Sequence, residues 1–308
     1  MVPADIADAL ASVLSKATDA IRDNEAGSRV GTDIEHVHQM RVATRRIRAY
    51  LKAAKPALDA GAADQLRSDL SALARVLGEV RDLDVMIDRL HSEADDLGGH
   101  DGEALNRLVH QLDSRRDAAR AALVAELDRK TFPALLAELD AAAERPPVSD
   151  PWADLPALAA AEWGKLDKAQ AKLQRRFGGN PPDDDLHELR IYGKRARYSA
   201  ELLTGKGSRA RRPAAVKRYL AALAELQEVL GNHQDAAVLE DQLRELLANA
   251  GTGGTRGRRG GPSADELLAA LAAGRLIERC RMRKVQARQE FPGVFGAVQR
   301  AAAKAFGG

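Results

Sequence analysis

The side chains of this chain with the most chemistry to offer are cations set at helical spacing. His38, Arg41, Arg45, Arg48 and Lys52 form one series, and His187, Arg190, Lys194 and Arg197 form a second. At about 100° per residue the first series falls within an arc of roughly 80°, a single stripe along a helix. Guanidinium and ammonium groups in a row suit a ligand with many anionic oxygens, each met by a charge-assisted hydrogen bond. Arg46 and Arg195 belong to the same runs but point away from the stripes. Met40, Ile47 and Leu51 flank the first stripe and Leu189, Ala196, Ala200 and Leu203 the second, so each helix packs with one side and presents cations beside that contact.

Such arrays cost free energy. Like charges at i,i+3 and i,i+4 repel by a few tenths of a kcal/mol per pair. No carboxylate occurs between Glu35 and Asp59, so the first stripe lacks local partners, whereas Glu188 and Glu201 soften the second. One basic stripe reads most simply as a solvated face. The same costly array occurring twice argues for a counter-charge that normally occupies it. Further cations occur at Arg115, Arg116 and Arg120, at Lys206, Arg209, Arg211, Arg212, Lys217 and Arg218, and at Arg279, Arg281, Arg283, Lys284 and Arg288. The binding set expected from these runs adds Arg46, Arg195, Arg115, Arg116, Arg120, Arg283 and Lys284 to the stripe residues.

The histidines are expected to be neutral among arginines and to protonate beside a polyanion. Metal ligation is the rival, but His38 has no histidine or cysteine at i+3 or i+4, and His36 lies on another face. No metal and no cofactor are expected. Asp82, Asp84 and Asp235 could hold Mg²⁺ against phosphate, although orienting neighbouring arginines is the simpler role. The single cysteine, Cys280, excludes an internal disulfide and a cysteine zinc site, and reads as an inert thiol.

The elements that position these residues read as all-α. Aromatics make up 4% of the 308 residues, too few for extensive sheet, while helix formers dominate. Interruptions are expected at Gly27 to Thr32, Gly98 to Gly102, Arg145 to Pro156, Gly178 to Asp185 and Ala250 to Ser263. Neither a secretory leader nor an apolar run of spanning length is visible, so a cytoplasmic protein without a membrane partner is expected. Net charge is only +2, but clustering sets the local potential.

The chain repeats itself. His38-Gln39-Met40-Arg41-Val42 and Thr44-Arg45-Arg46-Ile47-Arg48 recur 149 residues later, without a gap, as His187-Glu188-Leu189-Arg190-Ile191 and Gly193-Lys194-Arg195-Ala196-Arg197. Leu77-Gly78 with Asp82 and Val85 recurs as Leu230-Gly231 with Asp235 and Val238, and Phe132-Pro133 as Phe291-Pro292. Three anchors in one order imply a duplication. Residues 1–144 and 157–308 are expected to be two helical bundles joined by a Pro-rich linker, 145–156, with 251–261 an unstructured Gly/Arg-rich insertion whose Arg256, Arg258 and Arg259 read as solvated.

The paired His-x-x-Arg-Val/Ile-x-x-Arg/Lys-Arg-x-Arg runs resemble the CHAD domains (conserved histidine α-helical domains), and the resemblance covers nearly the whole chain from about Asp5. It implies two pseudo-symmetric four-helix bundles, a basic central channel that binds inorganic polyphosphate, and an association with polyphosphate granules. It places His38, Arg41, Arg45, Arg48, His187, Arg190, Lys194 and Arg197 at the channel lining, with Arg46 and Arg195 matching the motif. Lys194 stands where the first copy has Arg45, a point charge in place of a fork. The Glu-x-Glu-x-Lys signature of the tunnel enzymes often fused to such domains does not occur in this sequence. The expected function is non-enzymatic polyphosphate binding. Two alternatives stand: nucleic-acid binding, which fits the charge but lacks a readout motif and stacking aromatics beyond Tyr50, Tyr192 and Tyr198, and a metal-dependent polyphosphate hydrolase using Asp82 and Asp235, for which no acidic cluster holds two metals.

Overall fold

A computed structural model describes residues 5–204, 213–252 and 263–307, and within them the chain is all-helical, with one isolated bridge between Leu58 and Val148 in place of any sheet. The first copy supplies α1 (Asp5–Val30), α2 (Ile34–Ala53), α3 (Ala60–Leu97), α4 (Gly99–Val109), α5 (Asp113–Leu127) and α6 (Thr131–Glu144). The second supplies α7 (Leu155–Phe177), α8 (Asp183–Glu201), α9 (Pro213–Thr252) and α10 (Ala264–Phe306).

Helix ends follow local chemistry. The Asp33 carboxylate accepts from the Glu35 N–H at 2.8 Å, Asp59 from Ala62 at 2.8 Å and Asp154 from Ala157 at 3.0 Å. Ser263 and Glu266 close a capping box at the start of α10. Gly98 ends α3 and Gly178 ends α7 with φ of +62° and +69°, a conformation that suits glycine. A further break, at Ala54 to Asp59, was not among the expected interruptions; Pro56 sits in a short 3-10 turn there and stops α2.

The two copies differ in continuity. The second has one 43-residue helix, α10, where the first has three pieces, α4 to α6. The matched prolines show the contrast: Pro133 lies in the first turn of α6, where its missing N–H costs little, while Pro292 lies inside α10.

One bundle per copy would give two cores, but three hydrophobic clusters form. The first joins α1, α2, the front of α3, α5 and α6 and takes in Ala159, Leu202, Leu203 and Val216 of the second copy; another joins α7, α8, the front of α9 and the end of α10. The third draws on both copies about equally: Leu90 of α3, Leu105 and Leu108 of α4, Leu239 and Leu243 of α9 and Leu276 of α10 pack together. It exists because α3, α9 and α10, at 38, 40 and 43 residues, run beyond their own copy. Cys280 is fully buried in this shared core, and burial pushes its thiol up from the ordinary value. No helix among the described residues is long and apolar enough to cross a membrane.

Candidate functional site

The equivalent helices α2 and α8 touch, and α3 and α9 flank them. Between the four lies a cleft of about 500 Å³. The two stripes meet there: His38, Arg41 and Arg45 come from α2, and His187, Arg190 and Lys194 from α8. Helix α3 adds Arg81, Asp82, Val85 and Arg89, and α9 adds Gln234, Asp235, Val238 and Gln242. The offset that aligns Asp82 with Asp235, 235 − 82 = 153, also pairs Arg81 with Gln234 and Arg89 with Gln242. The cleft is therefore built from matched positions but is not charge-symmetric. Six cations face two carboxylates, and four of the six come from the first copy.

Most of these cations form no contact ion pair among the described residues, although Asp235 acts on Arg190 and Lys194 from farther off. Arg41 is the exception: its Nη1 lies 2.5 Å from Asp82 Oδ1 and 3.3 Å from the Gly78 carbonyl oxygen. The expectation that the first stripe needs a wholly external answer is thus corrected for Arg41, because α3 brings in a carboxylate from 41 residues away. Among the described residues, Arg45, Arg81, Arg89, Arg190 and Lys194 form no ion pair with a carboxylate at contact distance, and Arg81 Nη1 and Arg190 Nε are buried donors without an acceptor. Burial, and then the charges of Arg190, Arg45 and Arg41, push Lys194 down to about 8. Burial also lowers Arg190, and burial together with Arg81 lowers His38, which is neutral near pH 7. The arrangement stores cationic charge in a partly dehydrated groove.

Other expected residues are held elsewhere. Arg48 and Arg197 lie beyond the cleft, about one helical turn past Arg45 and Lys194. Arg197 Nε donates to Glu201 at 2.9 Å, while Arg48 Nε is buried without a partner. Lys52 lies outside as well; burial and the charges of Arg195 and Arg67 lower it, with Arg48 a further contributor. Arg46 and Arg195 occupy outer grooves, Arg46 beside Tyr50 and Glu201 between α1 and α2, and Arg195 over the Tyr192 ring between α7 and α8.

The α5 and α10 cations expected in the binding set are held by carboxylates, most of them on neighbouring helices. Arg120 spans both oxygens of the buried Asp84 at 3.2 Å, Arg116 pairs with Asp113 and Arg115 with Glu245. Lys284 bridges Asp183 at 2.9 Å and Glu240 at 2.6 Å. Arg283 donates to Glu93 at 2.6 Å, although it also lines a recess of about 270 Å³ that shares Arg89 and Asp235 with the cleft. Arg279, Arg281 and Arg288 are likewise paired, with Glu93, Glu240 and Asp183. Lys217 and Arg218 are exposed on α9. Lys206, Arg209, Arg211, Arg212, Arg256, Arg258 and Arg259 lie outside the described residues, as does the insertion apart from its first two residues, which end α9.

Sequence reasoning missed Arg81, Arg89 and the two glutamines. Their signal was present: 81, 85 and 89 share a helix face with the Asp82 and Val85 anchors of the duplication. The simpler role given to two of the aspartates holds, Asp82 against Arg41 and Asp84 against Arg120. No group of three or more metal-ligand side chains gathers among the described residues.

The sequence model of the CHAD domain matches residues 12–244, most of the chain. The chain belongs to the CHAD domain family. The CHAD domain from the plant Ricinus communis, solved as a crystal structure, is 27% identical and superposes with a TM-score of 0.64, covering 97% of this chain and 92% of that one. PptA from Streptomyces chartreusis shares the fold, with a TM-score of 0.71 at 21% identity over 96% of this chain and 99% of that one. Two curated relatives, uncharacterized proteins of Mycobacterium tuberculosis (strains CDC 1551 / Oshkosh and ATCC 25618 / H37Rv), are 30% identical over 225 residues. That match takes in 71% of this CHAD chain but only 42% of their length.

Proposed function

We propose that this CHAD chain binds inorganic polyphosphate, without turning it over, in a basic channel between two pseudo-symmetric four-helix bundles whose inner wall is the α2/α8 cleft. One observation carries the reading: among the described residues, cations outside the cleft are mostly paired with carboxylates, while five of the six inside it are not. Unpaired charge, present in both copies at Arg45 and Lys194, is held at a cost to the empty fold, and a chain of phosphates offsets that cost oxygen by oxygen. The family resemblance points to the same ligand and to an association with polyphosphate granules. Asp82 serves here to aim Arg41, and Lys194 supplies a point charge beside the fork of Arg190 and across from that of Arg45.

The test is polyphosphate of defined length, titrated against the wild type and a variant with Arg41, Arg45, Arg190 and Lys194 changed to Ala. Engagement of six cations predicts a log-log salt slope of about −4 to −5. The variant should lose most of that slope. Binding that ignores salt, or survives the four changes, overturns the proposal. Duplex DNA that competes as well as polyphosphate would favour a nucleic-acid role, and phosphate release in Mg²⁺ would favour hydrolysis.

A further inference from the structure

Outside the cleft, a second groove of about 500 Å³ runs between α7 and α8. Helix α7 lines it with Lys165, Lys168, Lys172 and Arg176, at spacings of three and four that keep them on one face. Arg195 contributes from α8, against Asp185 and Glu188. Five cations therefore face two carboxylates. Lys165 is paired with Glu162 at 2.5 Å, but Lys168 and Lys172 are exposed and form no ion pair among the described residues.

The first copy contains the twin of this groove, between α1 and α2. At the 149-residue offset, Lys16, Ala20, Gln39 and Arg46 of the twin fall on Lys165, Ala169, Glu188 and Arg195, and buried Leu10 and Ala17 fall on buried Ala159 and Leu166. Lys168 and Lys172 fall on Asp19 and Asp23. The same scaffold position is thus acidic in one copy and basic in the other.

The groove is also connected electrostatically to the cleft. Lys194 and Arg195 are adjacent on α8, one facing the cleft and the other the groove. Where α2 runs on past the cleft, Lys52 feels Arg195, Arg67 and Arg48 against the single carboxylate of Glu162, so a net positive path joins the cleft to the groove. Arg48 Nε and Arg67 Nε are buried there without acceptors.

We infer that the α7/α8 groove is a second phosphate-binding site, which takes the continuation of a long polyphosphate chain as it leaves the central cleft past Arg48, Lys52 and Arg195. The inference rests on the cleft reading above and adds a preference for long chains. Only a ligand long enough to reach both sites gains from the groove.

The decisive variant is Lys168→Asp with Lys172→Asp, which installs the twin's residues at exposed positions. Long-chain polyphosphate should bind it about tenfold more weakly, with a salt slope shallower by about 1.5, while tripolyphosphate, which fills the cleft alone, binds as it does to the wild type. The milder Lys168→Ala/Lys172→Ala pair should fall between. Unchanged long-chain affinity in the Asp variant overturns the groove and leaves the cleft standing. Equal losses for both ligands also overturn it, since the effect would then be the general field. A wild type that binds neither ligand removes the cleft reading and the groove with it.

Discussion

Changing Lys194 to Met should make the empty protein more stable and its polyphosphate complex weaker. The ammonium sits beside Arg190, Arg45 and Arg41 in a partly buried cleft, and these surroundings bring it from 10.5 to about 8. That difference corresponds to about 3 kcal/mol at 1.36 kcal/mol per pH unit. Water and salt reach the open side of the cleft and reduce it to about 1–2 kcal/mol. Methionine keeps the apolar stem and removes the charge. The sign follows from linkage: the folded-state value lies below the unfolded one, so the penalty is full below pH 8 and fades as pH rises from about 8 towards 10.5. Denaturant unfolding at pH 7 should therefore show Lys194→Met ahead by about 1–2 kcal/mol, with the gap closing by about pH 10. Bound phosphate raises the lysine again, so wild-type affinity should drop as pH climbs through 8 while the variant's stays flatter. A variant that is less stable at pH 7, or a gap that ignores pH, would refute the view that unrelieved repulsion is stored in this cleft.

Three further outcomes are expected. Arg120→Ala should cost about 3 kcal/mol of stability in thermal unfolding, because it leaves the buried Asp84 carboxylate unpaired; polyphosphate affinity of the folded variant should be unchanged, and a binding loss would return Arg120 to the site. Leu90→Ala, in the core that both copies share, should cost about 2–5 kcal/mol and keep a single unfolding transition by calorimetry; two separated transitions would mean that the copies unfold independently. Gln234→Arg with Gln242→Arg, which copies the first repeat's charge onto α9, should tighten polyphosphate binding, steepen its salt slope by about 1.5 and destabilise the empty protein; an unchanged slope would put those positions out of the ligand's reach.

The sequence by itself determined the helical class, the duplication and the pairing of His38, Arg41 and Arg45 with His187, Arg190 and Lys194. Those features are written in periods of three and four residues and in offsets between copies, so they survive without coordinates. It also separated Arg46 and Arg195 from the stripes, and they do face other grooves. Which cations stay unpaired was decided only by the tertiary structure. Arg120 and Asp84 are 36 residues apart, Lys284 and Asp183 are 101, and Arg283 and Glu93 are 190. A one-dimensional charge pattern counts such arginines as available, but helix packing brings them carboxylates from distant segments and spends their charge on the fold. The same packing moved Arg81 and Arg89 into the cleft and added a third core between the two copies, because helices long enough to outrun their own repeat must bury their far ends against the other one.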